Sequence, residues 1–575
     1  MPKEATKQPG NFDKRLWRRF WNIAKPYWFL DEKWTARGLL LILVLLLLGR
    51  TEFIVVFNQQ SGEFTSALAA RDGTRFWHSM RVFGGVLVAA VPIYALYYYV
   101  RDRIGVSWRR WLTHHFLEKY FKNRAYYALS FNPAIDNPDQ RIADDINTFT
   151  QKSLMFLLEA VGAVLRLIAF SGILWAISRT LVLFLIVYAV IGTLITLGVF
   201  GKPLIRLNFQ QLRREADFRF SLIRIRENAE AIAFYQGEAR ESDQARNRFK
   251  EVINNSKALL KRTLGLNLFQ YGYSFVTLIF PAIIIAPRVL SGELEVGRVV
   301  QAAGAFAVML SALTVFVENF ETLSAFAAGI ERLNTFERAL GTPPSGEAKA
   351  GDTFDRQEHA DLKLERVTLR TPNRQRTLIT DLSLAVGPGE GLLVVGASGG
   401  GKSSLLRAIA GLWNSGSGII LRPKLDEMLF LPQVPYMILG TLRGQLLYPV
   451  MHTEIPDQEL SRILIQVNLP DIVERCGGFD VELDFAKVLS IGEQQRLAVA
   501  RVLLSKPRYA VLDEATSALD GENEESLYLS LKDSPSTLVS VAHRPTLLKY
   551  HTNVLEVGDK GTWRLIQASH YRFVD

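Results

Sequence analysis

The sequence is almost free of cysteine, because its 575 residues contain only Cys476. A single thiol excludes an internal disulfide and offers no cysteine-ligated metal cluster, so Cys476 is expected to be a buried or surface thiol without a chemical role. The chain also lacks the mark of a secretory signal, since no small-residue cleavage site follows a short apolar core near its N-terminus. We therefore expect neither a disulfide framework nor a cleaved leader.

Residues 1–35 are instead basic and aromatic, with tryptophan and arginine interleaved. Such a pattern suits stacking on single-stranded nucleic acid, and it suits equally an amphipathic segment at a membrane surface. A long apolar run follows directly. The membrane interpretation is therefore favoured.

Length and composition indicate a membrane protein with more than one domain. A chain of 575 residues is too long for one hydrophobic core. Hydrophobic residues make up 49% of it and the mean hydropathy is +0.11, which is high for a soluble protein. The net charge of +10 suits either nucleic-acid binding or the basic cytoplasmic loops of a membrane protein. The distribution of the basic residues decides between these two.

The first long apolar run, residues 38–57, has the length of about 20 residues that crosses a bilayer. It is too long and too uniformly aliphatic for a buried helix of a soluble protein. Five more apolar runs of similar length predict further spans, at residues 82–100, 154–178, 180–200, 266–286 and 298–317. We predict an α-helical membrane domain with six transmembrane helices.

The connectors between the spans differ in charge. Residues 101–150 and 201–263 are rich in arginine and lysine, whereas the opposite connectors, such as residues 178–180, hold fewer positive charges. By the positive-inside rule the basic connectors are cytoplasmic. An even number of spans then returns the chain to the cytoplasm. The basic charge needs no nucleic-acid partner.

Two charged residues, Glu159 and Arg166, lie within the third predicted span. Seven positions are two helical turns, so both side chains share one face of the helix. Because charged groups are costly in lipid, both are expected to face the interior of the helix bundle. Pairing with neighbouring helices and lining of a cargo cavity are both open for them.

A linker is predicted at residues 340–360, where glycine, proline and serine replace the apolar pattern. Short apolar strands then alternate with helical segments, which is typical of an α/β domain. The chain is therefore divided into a basic amphipathic segment, a membrane domain, a linker and an α/β domain, at residues 1–35, 36–339, 340–360 and 361–575.

One glycine-rich loop of the α/β domain lies between an apolar strand and a helix. It has the pattern G-x-x-x-x-G-K-[ST] and consists of Gly396, Ala397, Ser398, Gly399, Gly400, Gly401, Lys402, Ser403 and Ser404. Its backbone N–H groups and the helix N-terminus are expected to face an anion. We predict that Lys402 reaches the β- and γ-phosphates of a nucleotide and that Ser403 ligates Mg²⁺. An ordinary strand-to-helix turn is the competing interpretation, which the full pattern disfavours.

Two later apolar strands end in residues suited to catalysis. Residues 509–514 end in two carboxylates, and His543 follows another strand. Asp513 suits the Mg²⁺ shell, and Glu514 suits polarising the water that attacks the γ-phosphate. His543 is predicted to hydrogen-bond the γ-phosphate.

A second anion site is predicted where residues 489–496 form a short loop that opens a helix. The loop includes Ser490, Gly492 and Glu493, and it combines a hydroxyl, backbone N–H groups and a positive dipole end. One domain does not need two such sites for one γ-phosphate. Two copies that face each other head to tail would need both sites, because this loop of one copy would close over the phosphate loop of the other.

These motifs, in this order, resemble the ATP-binding cassette of ABC transporters, over residues 361–560. The matching segments are Walker A at 396–404, the glutamine loop at Gln433, the signature at 489–493, Walker B at 511–514, the D-loop at 517–520 and the switch histidine at His543. The resemblance implies a P-loop cassette that hydrolyses ATP with Mg²⁺. It also implies catalytic and metal-ligating roles for Gln433.

The membrane half resembles SbmA/BacA-like transporters and their cassette-fused members, which are related to the peroxisomal fatty-acyl transporters. The segments of the membrane half that carry this likeness are residues 57–64, 108–113, 136–142 and 229–235, and residues 435–443 of the cassette are similar to the same group. It implies an exporter-type ABC fold and a homodimer of half-transporters in a bacterial inner (cytoplasmic) membrane. The basic connectors are expected to be helical extensions of the spans, and residues 436–443 are the expected contact of the cassette with those extensions.

Two positions depart from the usual cassette pattern. The signature has Ile491 and Glu493 where many cassettes have glycine and glutamine, a variation similar to that of this subgroup. Residues 369–372, where an aromatic ring often stacks on adenine, contain no aromatic residue. How adenine is held is therefore not predicted.

The resemblance favours ATP-driven import of hydrophilic cargo, such as peptides or cobalamin-like compounds, by alternating access. Export of lipids or acyl compounds is an alternative, and a regulatory membrane ATPase that moves no cargo is another. Polar groups on the inward faces of the spans favour the first function, and an apolar cavity open toward lipid favours the second. ATPase activity that cargo does not stimulate favours the third.

Overall fold

The computed structural model describes residues 14–30, 32–131, 135, 138–341, 353–450 and 454–573. The chain divides into two compact units, residues 1–343 and 344–575. Of the segments singled out above, Asp136 and Asn137, most of residues 340–360 and the start of the basic N-terminal segment lie outside the described residues.

The first unit is helical throughout its described part. Its α-helices are α1 (Lys14–Phe29), α2 (Lys33–Ala69), α3 (Gly73–Phe121), α4 (Ala125–Ser130), α5 (Pro138–Gln140), α6 (Ile146–Ile177), α7 (Arg179–Ile195), α8 (Lys202–Glu227), α9 (Ala229–Phe234), α10 (Glu238–Leu290), α11 (Gly297–Glu318) and α12 (Phe320–Gly341). A 3₁₀ turn (Lys122–Arg124) precedes α4, and π-helical turns precede α6 (Arg141–Asp145) and α8 (Thr196–Gly201).

Six of these helical stretches are long and apolar enough to cross a membrane. They contain the six predicted spans to within two residues at the C-terminal ends, which confirms the predicted membrane domain. Several are much longer than a bilayer requires: α10, with 53 residues, extends over about 80 Å at 1.5 Å per residue, against a hydrocarbon core of about 30 Å. Much of each basic connector is therefore a continuation of a membrane helix, as α3 and α10 show.

Helices α2 and α11 pack closely through small residues. A Cβ atom on Gly297 would lie 1.8 Å from the carbonyl oxygen of Gly62, so the two backbones are in direct contact there. One to two turns away, the buried amide of Asn58 donates to the carbonyl of Gln301 at 3.0 Å. The buried polar side chain of Asn58 thus finds its hydrogen-bond acceptor on the backbone of the neighbouring helix, which stabilises the helix pair.

Arg75 joins the ends of three helices. Its guanidinium nitrogens lie 2.6 and 3.0 Å from the two carboxylate oxygens of Glu63 on α2, and 2.9 and 3.1 Å from those of Glu295, just before α11. Two bidentate pairs of this kind fix orientation as well as position. Glu63 belongs to a segment that carries the family likeness, and this contact gives it a structural partner.

Glu159 and Arg166 pair with each other. Both lie on α6, and Arg166 Nη2 is 3.6 Å from Glu159 Oε2. The two-turn spacing that places them on one face also lets the long arginine side chain reach back along the helix. The observed pair therefore lies within one helix, whereas one of the two possibilities left open was pairing with neighbouring helices. Lining of a cargo cavity stays a prediction.

The second unit is an α/β domain. Its strands are β1 (Asp355–Glu358), β2 (Leu362–Arg370), β3 (Thr377–Val386), β4 (Leu392–Gly396), β5 (Gly416–Arg422), β6 (Met428–Leu431), β7 (Leu439–Gly440), β8 (Leu483–Asp484), β9 (Tyr509–Asp513), β10 (Thr537–Val541), β11 (Asn553–Val557) and β12 (Trp563–Gln567). Its helices are α13 (Lys402–Ile409), α14 (Leu442–Leu447), α15 (Asp457–Gln466), α16 (Ile472–Arg475), α17 (Phe485–Val488), α18 (Ile491–Ser505) and α19 (Gly521–Lys532).

The larger sheet has the strand order β12-β11-β4-β10-β9-β6, and all its pairs are parallel except the edge pair β11 with β12. Strands β9 and β10 are almost wholly buried, as expected for parallel strands covered on both faces. A second sheet has the order β1-β5-β2-β3. This architecture confirms the predicted cassette fold.

The parallel arrangement positions the predicted site. The carboxyl ends of neighbouring parallel strands lie at the same edge of a sheet. Strand β4 ends at the glycine-rich loop and β9 ends at Asp513. Gln433 lies two positions after the end of β6, and His543 lies two positions after the end of β10. Residues from four separate parts of the sequence are thereby brought to one edge.

Candidate active site

Two glycines of the phosphate loop occupy positions where a side chain would not fit. Gly396 has a φ of +134°, and a Cβ atom there would lie 2.1 Å from the carbonyl oxygen of Val557. Gly401 has a φ of +104°, and its Cβ atom would lie 2.9 Å from that of Leu378. Between them Gly400 donates to the Ala397 carbonyl at 3.2 Å. The loop is therefore a tight backbone turn that leads directly into α13.

The tip of this loop is exposed and its end is partly enclosed. Ala397, Ser398 and Gly399 are exposed, whereas Lys402 at the start of α13 is buried. Ser403 and Ser404 lie in the first turn of α13 and are partly buried. The glycine-rich loop therefore leads into the N-terminus of α13 with few side chains covering its backbone N–H groups, which is the arrangement that binds anions.

Lys402 folds back over its own loop. Its ammonium group donates to the carbonyl oxygens of Gly396 at 2.7 Å and Ala397 at 2.9 Å. Burial lowers the pKa of this lysine, and the nearby carboxylates of Glu514 and Asp513 partly oppose the shift. The cation is therefore held at the loop by weak neutral acceptors, which an anionic phosphate would replace favourably.

Ser403 and Asp513 meet across the site. The hydroxyl of Ser403 donates to Asp513 Oδ1 at 2.8 Å. Burial raises the pKa of Asp513, and the hydrogen bond from Ser403 acts against that rise. Mg²⁺ prefers hard oxygen donors and usually binds through one or two carboxylates plus substrate phosphates. This pair fits such an ion. Among the described residues, no group of three or more His, Cys, Asp or Glu side chains is arranged to hold a metal ion by itself.

Glu514 is the meeting point of three strand ends. Its Oε2 accepts from the amide of Gln433 at 2.9 Å, and its Oε1 lies 3.2 Å from Nε2 of His543. Its own φ is +50°, and its N–H donates to the Val541 carbonyl of β10 at 3.1 Å. A glutamate with left-handed backbone is strained, and such strain occurs at functional sites where surrounding contacts enforce it.

Two buried or half-buried residues outside the motifs connect the site loops. Gln495 donates to the carbonyl of Gln433 at 3.0 Å and accepts from the N–H of Ala518 at 3.0 Å, so α18 is tied to the glutamine loop and the D-loop. Arg544 reaches buried Glu524 at 3.1 Å and the Leu519 carbonyl at 2.9 Å. The sequence analysis assigned no role to Gln495 or Arg544. The available signal was their position, two residues after Glu493 and one residue after His543.

The signature loop caps its own helix. The N–H of Glu493 donates to Ser490 Oγ at 3.3 Å, and Glu493 Oε2 accepts from both the N–H and the hydroxyl of Ser490 at 2.9 Å. This reciprocal arrangement is a capping box at the start of α18. Gly492 lies beside Leu519 and Ala518 of the D-loop. Within the described residues, no hydrogen bond joins this loop to the phosphate loop of the same chain.

The loop expected near adenine has an aromatic neighbour outside the predicted stretch. The indole N–H of Trp413 donates to the carbonyl of Arg370 at 2.9 Å. Thr371 is held by backbone and side-chain bonds to Arg376 and Asn373. The tryptophan lies after α13 in sequence, which is why a search of residues 369–372 does not find it.

Comparison with known proteins agrees with this geometry. The ABC transporter transmembrane region 2 family matches residues 26–290, and the ABC transporter ATPase family matches residues 379–517. An uncharacterized ABC transporter ATP-binding protein of Synechocystis is 48% identical over 93% of this chain and 82% of its own length. The chloroplastic ABC transporter D family member 2 of Arabidopsis thaliana is 36% identical over 96% of this chain and 88% of its own length. The chain belongs to the D family of ABC transporters.

The human lysosomal cobalamin transporter ABCD4 is also similar, with 31% identity over 96% of this chain and 97% of its own length. As a D-family ABC transporter, the chain is a multi-pass membrane protein that binds and hydrolyses ATP, with its cassette in the cytoplasm. These matches support the D family and do not specifically support the SbmA/BacA-like group.

Proposed function

We propose that the chain imports hydrophilic cargo across a bacterial inner membrane as a homodimer, by alternating access. An inner membrane ABC transporter ATP-binding protein of Escherichia coli, 27% identical over 93% of this chain, supports this location. The cobalamin named in the human relative is one candidate cargo, and a peptide is another. The division at residues 1–35, 36–339, 340–360 and 361–575 belongs to the same proposal.

In the proposed reaction Glu514 polarises the attacking water. Gln433 and His543 hold the two oxygens of its carboxylate and so fix its direction, and Lys402 neutralises phosphate charge. Ser403 and Asp513, with the side-chain oxygen of Gln433, would hold Mg²⁺. The bound ion would supply further neutralisation of charge on the phosphates.

The contact of Glu514 with both Gln433 and His543 is the observation that carries this assignment. Replacing Glu514 by glutamine keeps the size of the side chain and removes the base, so we expect steady-state ATPase activity to fall by at least about a hundredfold. ATP binding should persist, because the phosphate loop is unchanged. Phosphate release and nucleotide binding by the purified protein in lipid vesicles measure the two quantities.

Glu525 offers a matched control for this variant. It is a carboxylate of the same domain that pairs at the surface with Lys549 at 2.9 Å. Glu525→Gln should retain wild-type turnover, because exposed ion pairs contribute little. Substantial steady-state ATPase activity in Glu514→Gln would remove Glu514 from the proposed role.

The position of the signature supports a second copy. Ser490, Gly492 and Glu493 make their described hydrogen bonds and contacts away from the phosphate loop of their own chain. A second cassette, facing head to tail, would bring the signature of one copy over the phosphate loop of the other. Closing of two such sites on ATP and reopening after hydrolysis would drive the membrane helices.

A cavity among the membrane helices, lined by both polar and apolar side chains and here called the polar cavity, favours hydrophilic cargo. It has a volume of about 300 Å³ and lies between α7, α10 and α11, beside the π-helical turn that follows α7. Its polar side chains are uncharged hydrogen-bonding groups: Thr196, Asn267, Gln270, Tyr271, Tyr273, Ser274, Ser311 and Thr314. Polar groups inside a membrane domain are costly and mark substrate pathways. Hydroxyl and amide groups suit cargo that carries amides or hydroxyls.

A second cavity favours the alternative, transport of a lipid or an acyl compound. It has a volume of about 880 Å³ and lies among α1, α2, α3, α6 and α12. Aromatic and aliphatic side chains line most of it, among them Trp17, Phe20, Trp28, Phe156 and Phe326. Because this cavity adjoins an amphipathic helix expected at the membrane surface, a lipid tail that merely solvates the helix would also fill it. The polar cavity therefore carries more weight.

Transport into vesicles distinguishes the alternatives. The protein is reconstituted with cassettes outward, ATP is supplied outside, and cyanocobalamin, a labelled hydrophilic peptide and a long-chain acyl-CoA are compared. ATP-dependent loss of a preloaded hydrophilic cargo from the lumen toward the cassette side supports import. Accumulation of the acyl compound inside the vesicle supports the exporter. ATPase activity that none of the three stimulates supports a regulatory ATPase.

A further inference from the structure

The carboxylate of Glu493 has a second partner, Arg475, which no sequence motif includes. Nη1 of Arg475 lies 2.5 Å from Glu493 Oε1. Arg475 is the last residue of α16 and its side chain is 49% exposed, whereas the Glu493 side chain is only 13% exposed. A half-exposed arginine thus closes the open side of a nearly buried carboxylate.

The same carboxylate restrains the signature serine. Glu493 Oε2 accepts the hydroxyl proton of Ser490 at 2.9 Å. A hydroxyl has one proton to donate. In this arrangement Ser490 donates to Glu493, and it must leave that acceptor before it donates to a phosphate.

The charge of Glu493 opposes a phosphate at this loop. Burial alone raises the pKa of Glu493, but the hydrogen bonds from Arg475 and Ser490 outweigh that effect and hold the pKa below its usual value. The group is therefore ionised at neutral pH. An unneutralised carboxylate in the first turn of α18 would repel the anion that the helix N-terminus attracts, and it would bind the Ser490 proton more strongly.

We propose that Arg475 is a positioning residue of the signature: by neutralising Glu493 it frees the Ser490 hydroxyl for the phosphate of ATP bound to the second copy. The inference rests on the proposed closure of two copies. It also gives a physical reason for the departure at position 493. A cassette with glutamine there has no charge to neutralise, whereas this one has glutamate and an arginine beside it.

A four-member variant set tests the proposal: the wild type, Arg475→Ala, Glu493→Gln, and both together, all reconstituted in lipid vesicles. Leaving a charged partner unpaired costs about tenfold or more in the affected equilibrium. We therefore expect Arg475→Ala to lower kcat/KM for ATP roughly tenfold. In the Glu493→Gln background the same substitution should change kcat/KM less than about twofold, because no carboxylate remains to be neutralised. Arg475→Lys should retain part of the activity, since it keeps the charge.

A purely structural role for Arg475 makes a different prediction. If the arginine only stabilised the fold, its removal would cost as much beside glutamine as beside glutamate, and that equal loss would overturn the proposal. Lys487→Ala is the matched control, because Lys487 lies near the same loop and pairs with Asp484 at 2.6 Å without touching Ser490. Its turnover should match that of the wild type.

Ser490→Ala separates failure of this inference from failure of the proposed function. If Ser490→Ala leaves ATPase activity unchanged, the closure of the signature over a second copy is wrong, and the inference falls with it. If Ser490→Ala lowers activity while Arg475→Ala does not, the closure stands and only the role of Arg475 is overturned. The midpoint of thermal unfolding, measured for each variant, identifies any that fail to fold.

Discussion

Two helix N-termini of the cassette suit an anion, and they are built in opposite ways. Helix α13 follows Gly401, which has no side chain, so its first turn is capped by no side chain. Helix α18 follows Ser490 and is capped by the Ser490 hydroxyl and the Glu493 carboxylate. The N-terminus of α13 would bind an anion through glycine backbone N–H groups and the Lys402 ammonium. At α18, backbone N–H groups are already hydrogen-bonded by the side chains of Ser490 and Glu493.

The difference shows what each end can contribute to binding ATP. At α13 the backbone N–H groups of a rigid loop are available together with the cation of Lys402. At α18 the N–H groups of Ser490 and Glu493 are engaged in the capping box, and binding an anion requires an exchange of hydrogen bonds. We therefore expect the phosphate loop to dominate affinity for ATP and the signature to govern turnover after closure.

The largest expected effect on ATP binding and hydrolysis is that of replacing Lys402 in the phosphate loop. Lys402→Ala removes the buried cation of the phosphate loop, so ATP binding should weaken and ATPase activity should fall by at least about a hundredfold. Nucleotide binding and phosphate release by the reconstituted protein measure both effects. Lys424→Ala, an exposed lysine of the same domain, is the control. Wild-type ATP affinity in Lys402→Ala would break the comparison.

Alanine in place of glycine tests the two loops for rigidity. At Gly396 the φ of +134° and the contact with Val557 leave no room for a methyl group, and we expect a loss of about 2 to 3 kcal/mol in the free energy of unfolding. At Gly492 the new Cβ atom would lie 3.4 Å from Leu519, an ordinary contact, and helix propensity favours alanine by up to about 1 kcal/mol.

Thermal or denaturant unfolding of the two variants measures the difference. Each is the other's control, because the substitution is the same in both. Equal stability of the Gly396→Ala and Gly492→Ala proteins would contradict the distinction between a strained loop and a regular helix start.

The smallest effect is expected at the signature serine. Ser490→Ala removes the N-cap acceptor for the Glu493 N–H, which costs about 1 kcal/mol of stability. Turnover should fall roughly tenfold, with less change in the binding of ATP to the phosphate loop. A drop in kcat without a comparable drop in ATP affinity sharpens the comparison. If Ser490→Ala instead mainly lowered the affinity for ATP, the phosphate loop and the signature loop would both govern ATP binding, and the comparison would be wrong.

Local patterns were sufficient for much of the fold. The six apolar runs predicted the membrane spans because spanning length and lipid exposure act on each segment separately. The glycine-rich pattern predicted the turn before α13, since positive φ at Gly396 and Gly401 is a local requirement. The helical pattern of the basic connectors predicted extensions of the spans, and α10 contains such an extension in a single helix of 53 residues.

Contacts of the site were less accessible to sequence reasoning. Gln433 and Glu514 are 81 positions apart, and His543 lies 29 positions beyond Glu514. Their meeting depends on the strand order β4-β10-β9-β6, which is not the chain order. The pairing of Arg475 with Glu493 depends on how α16 packs beside the start of α18. Neither residue type nor spacing encodes that packing.

The sequence by itself determined which chemistry is present and in which order: six membrane spans, a phosphate loop, a signature, two carboxylates at a strand end and a histidine. Those features follow from hydropathy and backbone geometry, which are local. Only the tertiary structure decided which distant groups touch: that Gln433 and His543 both meet Glu514, and that Glu493 is neutralised by Arg475. Such contacts are set by strand order and helix packing, which are properties of the whole domain.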